Sequence, residues 1–192
     1  MTEALVFLGD LTPELAGPHV QYATHYEPTP VADFQAFMGA VAIDWPNTTF
    51  VDVGSGMGRV VLLAARRPFK QIIGVELSSA LHEVALENRK TWVDAHQQCT
   101  DIRFVPGDVC ATPLPAGNLL LYLYNPFGRP VLTALLEKVL AQREPSREIV
   151  LCYHTPVERE AIDDTGVFEL LEDLHFGLIY RLRNRQTQRA LG

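Results

Sequence analysis

Four acidic or amide side chains stand where an alternating α/β protein does its chemistry. Asp52 lies within the short apolar run Phe50-Val51-Asp52-Val53, and Gly54, Ser55, Gly56, Met57 and Gly58 follow directly. Glu76 closes a second run, Ile72-Ile73-Gly74-Val75. Asp108 follows a third in Pro106-Gly107-Asp108, and Asn125 follows a fourth, Leu119 to Tyr124. A glycine turn lets backbone approach a ligand closely, and an acid at the end of the next strand accepts hydrogen bonds from ribose hydroxyls. The order of strand, turn, helix, strand and acid is the first half of a site for a nucleoside cofactor.

The loop argues against a phosphate in that cofactor. A phosphate-cradling loop needs G-x-x-x-x-G-K-[ST], which the chain lacks. The dinucleotide fingerprint G-x-G-x-x-G wants a third glycine where Arg59 stands. Asp52, two residues before the first glycine, would repel a pyrophosphate and attract a cationic amino group.

Those residues need a sheet to hold them. Apolar periodicity predicts a helix over about Val31 to Ala42, with Val31, Phe34, Phe37, Met38 and Val41 on one face. Strands are expected at Thr49 to Val53, Gln71 to Glu76, Ile102 to Val105, Leu119 to Tyr124 and Ile149 to Tyr153. Helices are expected from the glycines to about Arg67, from about Ser79 to His96, from about Pro130 to Arg143, and near Val157 to Asp163. The second of these should bury Leu81, Val84, Ala85 and Trp92. Val167 to Asp173 and Phe176 to Leu182 are spaced to form a closing hairpin. The pattern predicts a doubly wound, mostly parallel, seven-stranded sheet in three α/β/α layers, with an antiparallel C-terminal hairpin. Ligands of such Rossmann-like sheets sit at the carboxyl ends of the strands, where Asp52, Glu76, Asp108 and Asn125 fall. The plain structural readings are a cap for Asp52, a strand end for Glu76 and a turn former for Asp108.

The D-V-G-S-G-M-G segment followed by G-V-E resembles motifs I and II of the class I S-adenosylmethionine-dependent methyltransferases, over about Phe50 to Tyr153. The resemblance implies S-adenosyl-L-methionine as cofactor. It implies that Gly54, Ser55 and Gly56 wrap the methionine part, with Asp52 supporting the loop and the amino group. It further implies that Glu76 binds the ribose hydroxyls and Leu77 packs on adenine. Asp108 would take the exocyclic amine, with the Val109 N–H serving the ring. Asn125-Pro126-Phe127-Gly128 resembles the [N/D]-P-P-[Y/F] motif of amino-group methylases, with Phe127 in place of the second proline. It is also similar to a segment of the non-SET histone-lysine methylases. Asn125 would then aim the acceptor nitrogen and also border the cofactor. The patch His25-Tyr26-Glu27-Pro28-Thr29-Pro30 resembles a segment that closes over the cofactor in small methyltransferases, and offers Tyr26 as a catalytic residue. His25, Glu27 and Tyr124 are further candidates for taking a proton from an amine. His154 reads as a satisfied structural histidine.

Bulk properties limit the alternatives. The chain has 192 residues and a formal net charge of −7, without the basic footprint of a nucleic-acid binder. Residues 1 to 58 carry no Lys or Arg, which favours a cationic small molecule or protein side chain as substrate. No run reaches the length of a membrane span, and the acidic start is unlike a signal peptide, so the cytoplasm is expected. Cys99, Cys110 and Cys152 suggest neither a disulfide framework nor a metal site. Residues 1–48 read as a cap or lid, and 49–192 as the methyltransferase domain. Two other functions fit parts of the pattern: a noncatalytic cofactor-binding or regulatory protein, and an NAD-dependent oxidoreductase, which Arg59 disfavours.

Overall fold

The structure is a computed structural model and describes residues 27–183. Its centre is one seven-stranded sheet in the order β3-β2-β1-β4-β5-β7-β6. The strands are β1 (Thr48–Val53), β2 (Gln71–Glu76), β3 (Ile102–Pro106), β4 (Asn118–Tyr124), β5 (Ile149–His154), β6 (Phe168–Leu174) and β7 (Gly177–Leu182). The first five run parallel, β7 is antiparallel to β5, and β6 pairs antiparallel with β7. The helices are α1 (Val31–Ala40), α2 (Arg59–Ala64), α3 (Ser79–Thr91), α4 (Arg129–Ala141) and α5 (Arg159–Asp163). The order reverses where β1 and β4 lie side by side, and that switch point opens a crevice at the strands' carboxyl ends.

Alternation along the strands builds two cores. Leu119, Leu121 and Leu123 of β4 face a cluster with Val131, Leu132, Leu135, Leu136 and Val139 of α4. Leu120 and Tyr122 face the other side, with Phe34, Phe37 and Met38 of α1 and Val60, Val61 and Ala64 of α2. A parallel strand buried on both faces is apolar throughout, which is why β4 reads as a continuous hydrophobic run. Of the apolar face expected on α1, Val31 is exposed, because it opens the helix beside the chain's entry.

Helices α2 and α3 stop well short of the expected ends. Beyond Ala64 the bonds tighten to Arg66 N–H to Leu63 O and Arg67 N–H to Ala64 O, so the last turn is no longer α-helical. The Ala65 carbonyl is satisfied instead by the N–H groups of Gln98 and Cys99. Helix α3 ends at Thr91 rather than near His96, because Asp94 accepts Arg66 Nε at 2.6 Å and the His96 N–H at 2.8 Å, turning the chain back toward α2. Its buried face is Leu81, His82 and Ala85; Val84 is exposed, contrary to the periodicity expectation.

Arg147 fastens the opposite end of the sheet. Its buried guanidinium donates to Gly117 O at 2.6 Å, to Gln142 O at 3.2 Å, to Gln142 Oε1 at 2.9 Å and to Pro115 O. Arg147→Met would leave several of these carbonyls unpaired, and a loss of about 3 kcal/mol of stability is expected in urea unfolding. A loss below about 1 kcal/mol would show that water replaces the guanidinium.

Candidate functional site

The glycine loop is fixed to β2 by backbone bonds. Gly54 and Ser55 N–H both donate to Val75 O, at 2.9 and 3.0 Å. Gly54 has φ +77, and a Cβ there would lie 2.9 Å from Pro126 Cβ. Gly58 has φ +82, caps α2, and leaves a Cβ no room beside the Phe104 ring at 2.8 Å. Both positions therefore need glycine, for conformation and for space.

Glu76 ties this loop to the next one. Its Oε2 accepts the Gly56 N–H at 2.7 Å and its Oε1 accepts the Ser78 N–H at 2.7 Å. A carboxylate has about four lone-pair sites, so acceptor capacity remains on the cleft side. Burial raises the Glu76 pKa, opposed by the N–H bonds from Ser78, Gly56 and Leu77. Gly107 N–H donates to Glu76 O at 2.8 Å, which brings the end of β3 alongside.

Asp52 is different. Its carboxyl is buried, and among the described residues it has no hydrogen-bond or ion-pair partner. Burial, then repulsion from Glu76, pushes its pKa well above the usual carboxylate range. A buried acid left without a partner is costly unless a ligand supplies one.

These groups share one cleft with about 920 Å³ of empty space, open to solvent. The lining includes Asp52, Gly54, Ser55, Glu76, Leu77, Asp108 and Val109, with Glu27 and Tyr124, so the structure brings together nine of the residues singled out from sequence. Four carboxyl side chains line it (Glu27, Asp52, Glu76 and Asp108), against one basic residue, Arg59. Tyr122, Leu81 and Val131 also line it and carried no sequence signal of a site, because each sits in an apolar run that reads as core. The Tyr122 hydroxyl donates to Thr29 Oγ1 at 3.3 Å, drawing the Glu27–Thr29 segment over the cleft.

Asn125 stands at the edge. Its neighbours Tyr124 and Pro126 line the cleft but Asn125 does not. It adopts φ +36, its N–H donates to His154 O at 3.2 Å, and its Oδ1 accepts the Tyr153 hydroxyl at 3.4 Å. A non-glycine residue held at positive φ at a strand end is a conformation the surroundings must enforce. Gly56 is not among the lining residues either; its N–H is given to Glu76. His154 is buried against Asp33 at 3.0 Å and Thr155 Oγ1 at 2.9 Å, with the Tyr124 ring 4.1 Å away between centroids. Tyr26 and His25 lie outside the described residues.

The sheet order, the hairpin and a cleft at the switch point define the class I methyltransferase fold. Known structures agree. An RNA methyltransferase from Salinibacter ruber, in complex with S-adenosyl-L-homocysteine, matches with a TM-score of 0.56 at 22% identity, over 81% of this chain and 92% of that one. The N-methyltransferase NodS from Bradyrhizobium japonicum WM9, also with S-adenosyl-L-homocysteine, matches with a TM-score of 0.56 at 12% identity, over 81% and 85% of the two chains. The glycopeptide N-methyltransferase MtfA, complexed with S-adenosyl-L-methionine, matches with a TM-score of 0.57 at 11% identity, over 80% and 86%. The family described as Histone methylation protein DOT1 matches residues 30–103, from α1 into β3. No curated protein matches the chain. Among the described residues, no helix is long and apolar enough to cross a membrane.

Proposed function

We propose that the protein is an S-adenosylmethionine-dependent methyltransferase whose acceptor is an amine nitrogen, on a protein side chain or a small molecule. The observation that carries this reading is Asp52: a buried carboxyl without a hydrogen-bond or ion-pair partner among the described residues, in a cleft lined by four acids and one base. A cofactor with a cationic amino group and a sulfonium, and no phosphate, suits that field. The left-handed glycine at 54 supplies the cradle, since any side chain there would meet Pro126. The similarity of residues 30–103 to a histone methylation family, and the N-methyltransferases among the structural neighbours, support nitrogen as the nucleophile. The acidic lining argues against RNA, the acceptor of the Salinibacter protein.

When bound, S-adenosylmethionine would supply an electrophilic methyl group on a sulfonium sulfur, open to in-line attack with the thioether S-adenosylhomocysteine as the leaving group. The chain's own part is positioning and charge placement. Asp52 would hold the amino group, Glu76 the ribose hydroxyls, and Asp108 with the Val109 N–H the base. On the acceptor side, Tyr124, Phe127 and Glu27 face the cleft. Burial, and then the nearby Glu27 carboxylate, push the Tyr124 hydroxyl up to about 12, so it stays protonated at neutral pH and serves as a donor. Glu27 is then the carboxylate on that side able to take the amine's proton.

Asn125→Ala is expected to leave the Kd for S-adenosylhomocysteine within about twofold, since Asn125 does not line the cleft, and to lower turnover at least about tenfold, since it removes the aiming amide together with the acceptor of the Tyr153 hydroxyl. Unchanged turnover would remove Asn125 from the mechanism. The acceptor class is tested by transferring radiolabelled methyl groups into a lysate and sorting the label. Base-stable label in protein or small amines is expected. Label in nucleic acid, or base-labile ester label, would contradict the amine reading. The second reading, a binder without turnover, draws support from Asn125, whose carboxamide oxygen is engaged by Tyr153 rather than open to the cleft. Cofactor binding with no label transferred anywhere would favour it.

A further inference from the structure

Lys138 makes no ion pair with any described carboxylate. The Lys138 ammonium donates to Val109 O at 3.0 Å, to Cys110 O at 2.9 Å and to Thr112 O. An ammonium has three N–H donors, and all three go to one loop. That loop is a single tight turn. Ala111 and Thr112 N–H both donate to Asp108 O, at 3.0 and 2.9 Å, and the Thr112 hydroxyl reaches the same oxygen at 2.8 Å. The Cys110 N–H returns to Asp108 Oδ1 at 2.8 Å.

The two ends of the turn differ. At its start, Asp108 and Val109 are in the cleft wall, and the Val109 N–H is given to no acceptor among the described residues. At its other end the carbonyls converge on a cation from α4. A positive charge at the carbonyl end aligns with the peptide dipoles of a turn, and leaves the free N–H end more attractive to an electron-rich atom. Loops positioned by nothing but their own backbone open easily, and this one is anchored from outside the cleft.

We propose that Lys138 is a positioning residue for the base of the cofactor. It holds the Asp108–Thr112 turn so that the Asp108 carboxylate and the Val109 N–H meet adjacent atoms on one edge of the adenine, the exocyclic amine and ring nitrogen N1. This rests on the cofactor reading above and adds to it a residue from α4, remote in sequence from both cofactor motifs.

The test compares S-adenosylhomocysteine with its 1-deaza analogue, in which C–H replaces ring nitrogen N1, by calorimetry on the full chain. The unaltered protein should prefer the parent compound by about tenfold, the effect of one hydrogen bond. Lys138→Met should weaken binding of the parent about tenfold and reduce that preference to about twofold or less. Loss of the preference is a readout that general destabilisation does not produce. Should the Met variant fail to fold, Lys138→Gln is read by the same measure. A folded variant that binds the parent within twofold of the unaltered protein would overturn the proposal. So would a variant that binds more weakly yet keeps the full preference, since Lys138 would then be only a tether. No preference in the unaltered protein overturns the Val109 contact, and with it the proposal. Failure of the unaltered protein to bind S-adenosylhomocysteine at all ends the cofactor reading itself, a distinguishable result that withdraws the proposal too.

Discussion

Glu76→Ala should weaken S-adenosylhomocysteine binding by a hundredfold or more. Two effects add. Acceptors for two ribose hydroxyls disappear, and a hydrogen bond to a charged group contributes about 1.5–3 kcal/mol. The Gly56 and Ser78 N–H groups also lose their 2.7 Å bonds, so the glycine loop loses its side-chain tie to β2 and keeps only the Gly54 and Ser55 backbone bonds. A combined loss of about 3 kcal/mol corresponds to somewhat more than a hundredfold in Kd. Glu76→Gln separates the two effects, because its amide keeps one acceptor oxygen and so retains one of the loop bonds. The Gln variant should bind more tightly than the Ala variant and more weakly than the unaltered protein. A Kd within tenfold of the original for Glu76→Ala would mean that the acid serves the loop and not the ligand.

Acid should weaken cofactor binding through Asp52. Burial and the neighbouring Glu76 raise the pKa of this carboxyl in the free protein. A cationic amino group stabilises the ionised form, so the ligand and the proton compete for one site. The affinity should hold above the raised pKa and fall by up to tenfold for each pH unit below it. Calorimetry in buffers of different ionisation enthalpy should detect proton release on binding within that window. The effect on folding has the opposite sense. The folded chain binds this proton more tightly than the unfolded chain, whose carboxyl titrates near about 4. The stability this contributes is therefore complete below that value and is lost as pH rises through the raised folded pKa. Asp52→Asn should remove both dependences and should bind the cofactor more weakly at neutral pH. A Kd independent of pH across the carboxylate range would contradict a cation at Asp52.

Much of this was legible in the sequence because the fold's punctuation is local. Strand β2 has the bounds the sequence predicted, Gln71–Glu76, because an apolar run is framed by a polar residue and an acid. The glycines at 54 and 58 announced backbone that no other residue adopts there. The closing hairpin followed from two β-rich runs separated by a few residues. What was not legible depends on contacts distant in sequence. The end of α3 is set by Asp94 reaching Arg66, 28 positions away. Val84 fits a helical stripe yet lies exposed, because the sheet covers a narrower arc of α3 than the periodicity suggests. The direction of Asn125 depends on its positive φ and on the hydroxyl of Tyr153, 28 positions away. Lys138 is a charged position on an amphipathic helix, with no neighbouring sequence cue to its partners. Its role depends on the turn that follows β3.

The central claim is that this cleft holds a phosphate-free sulfonium nucleoside. The most direct measurement is a calorimetric titration of the full chain with S-adenosylmethionine and, separately, with NAD. Saturable binding of S-adenosylmethionine to one site, with no binding of NAD, is the predicted result. No heat with S-adenosylmethionine, or preferential binding of NAD, would contradict it.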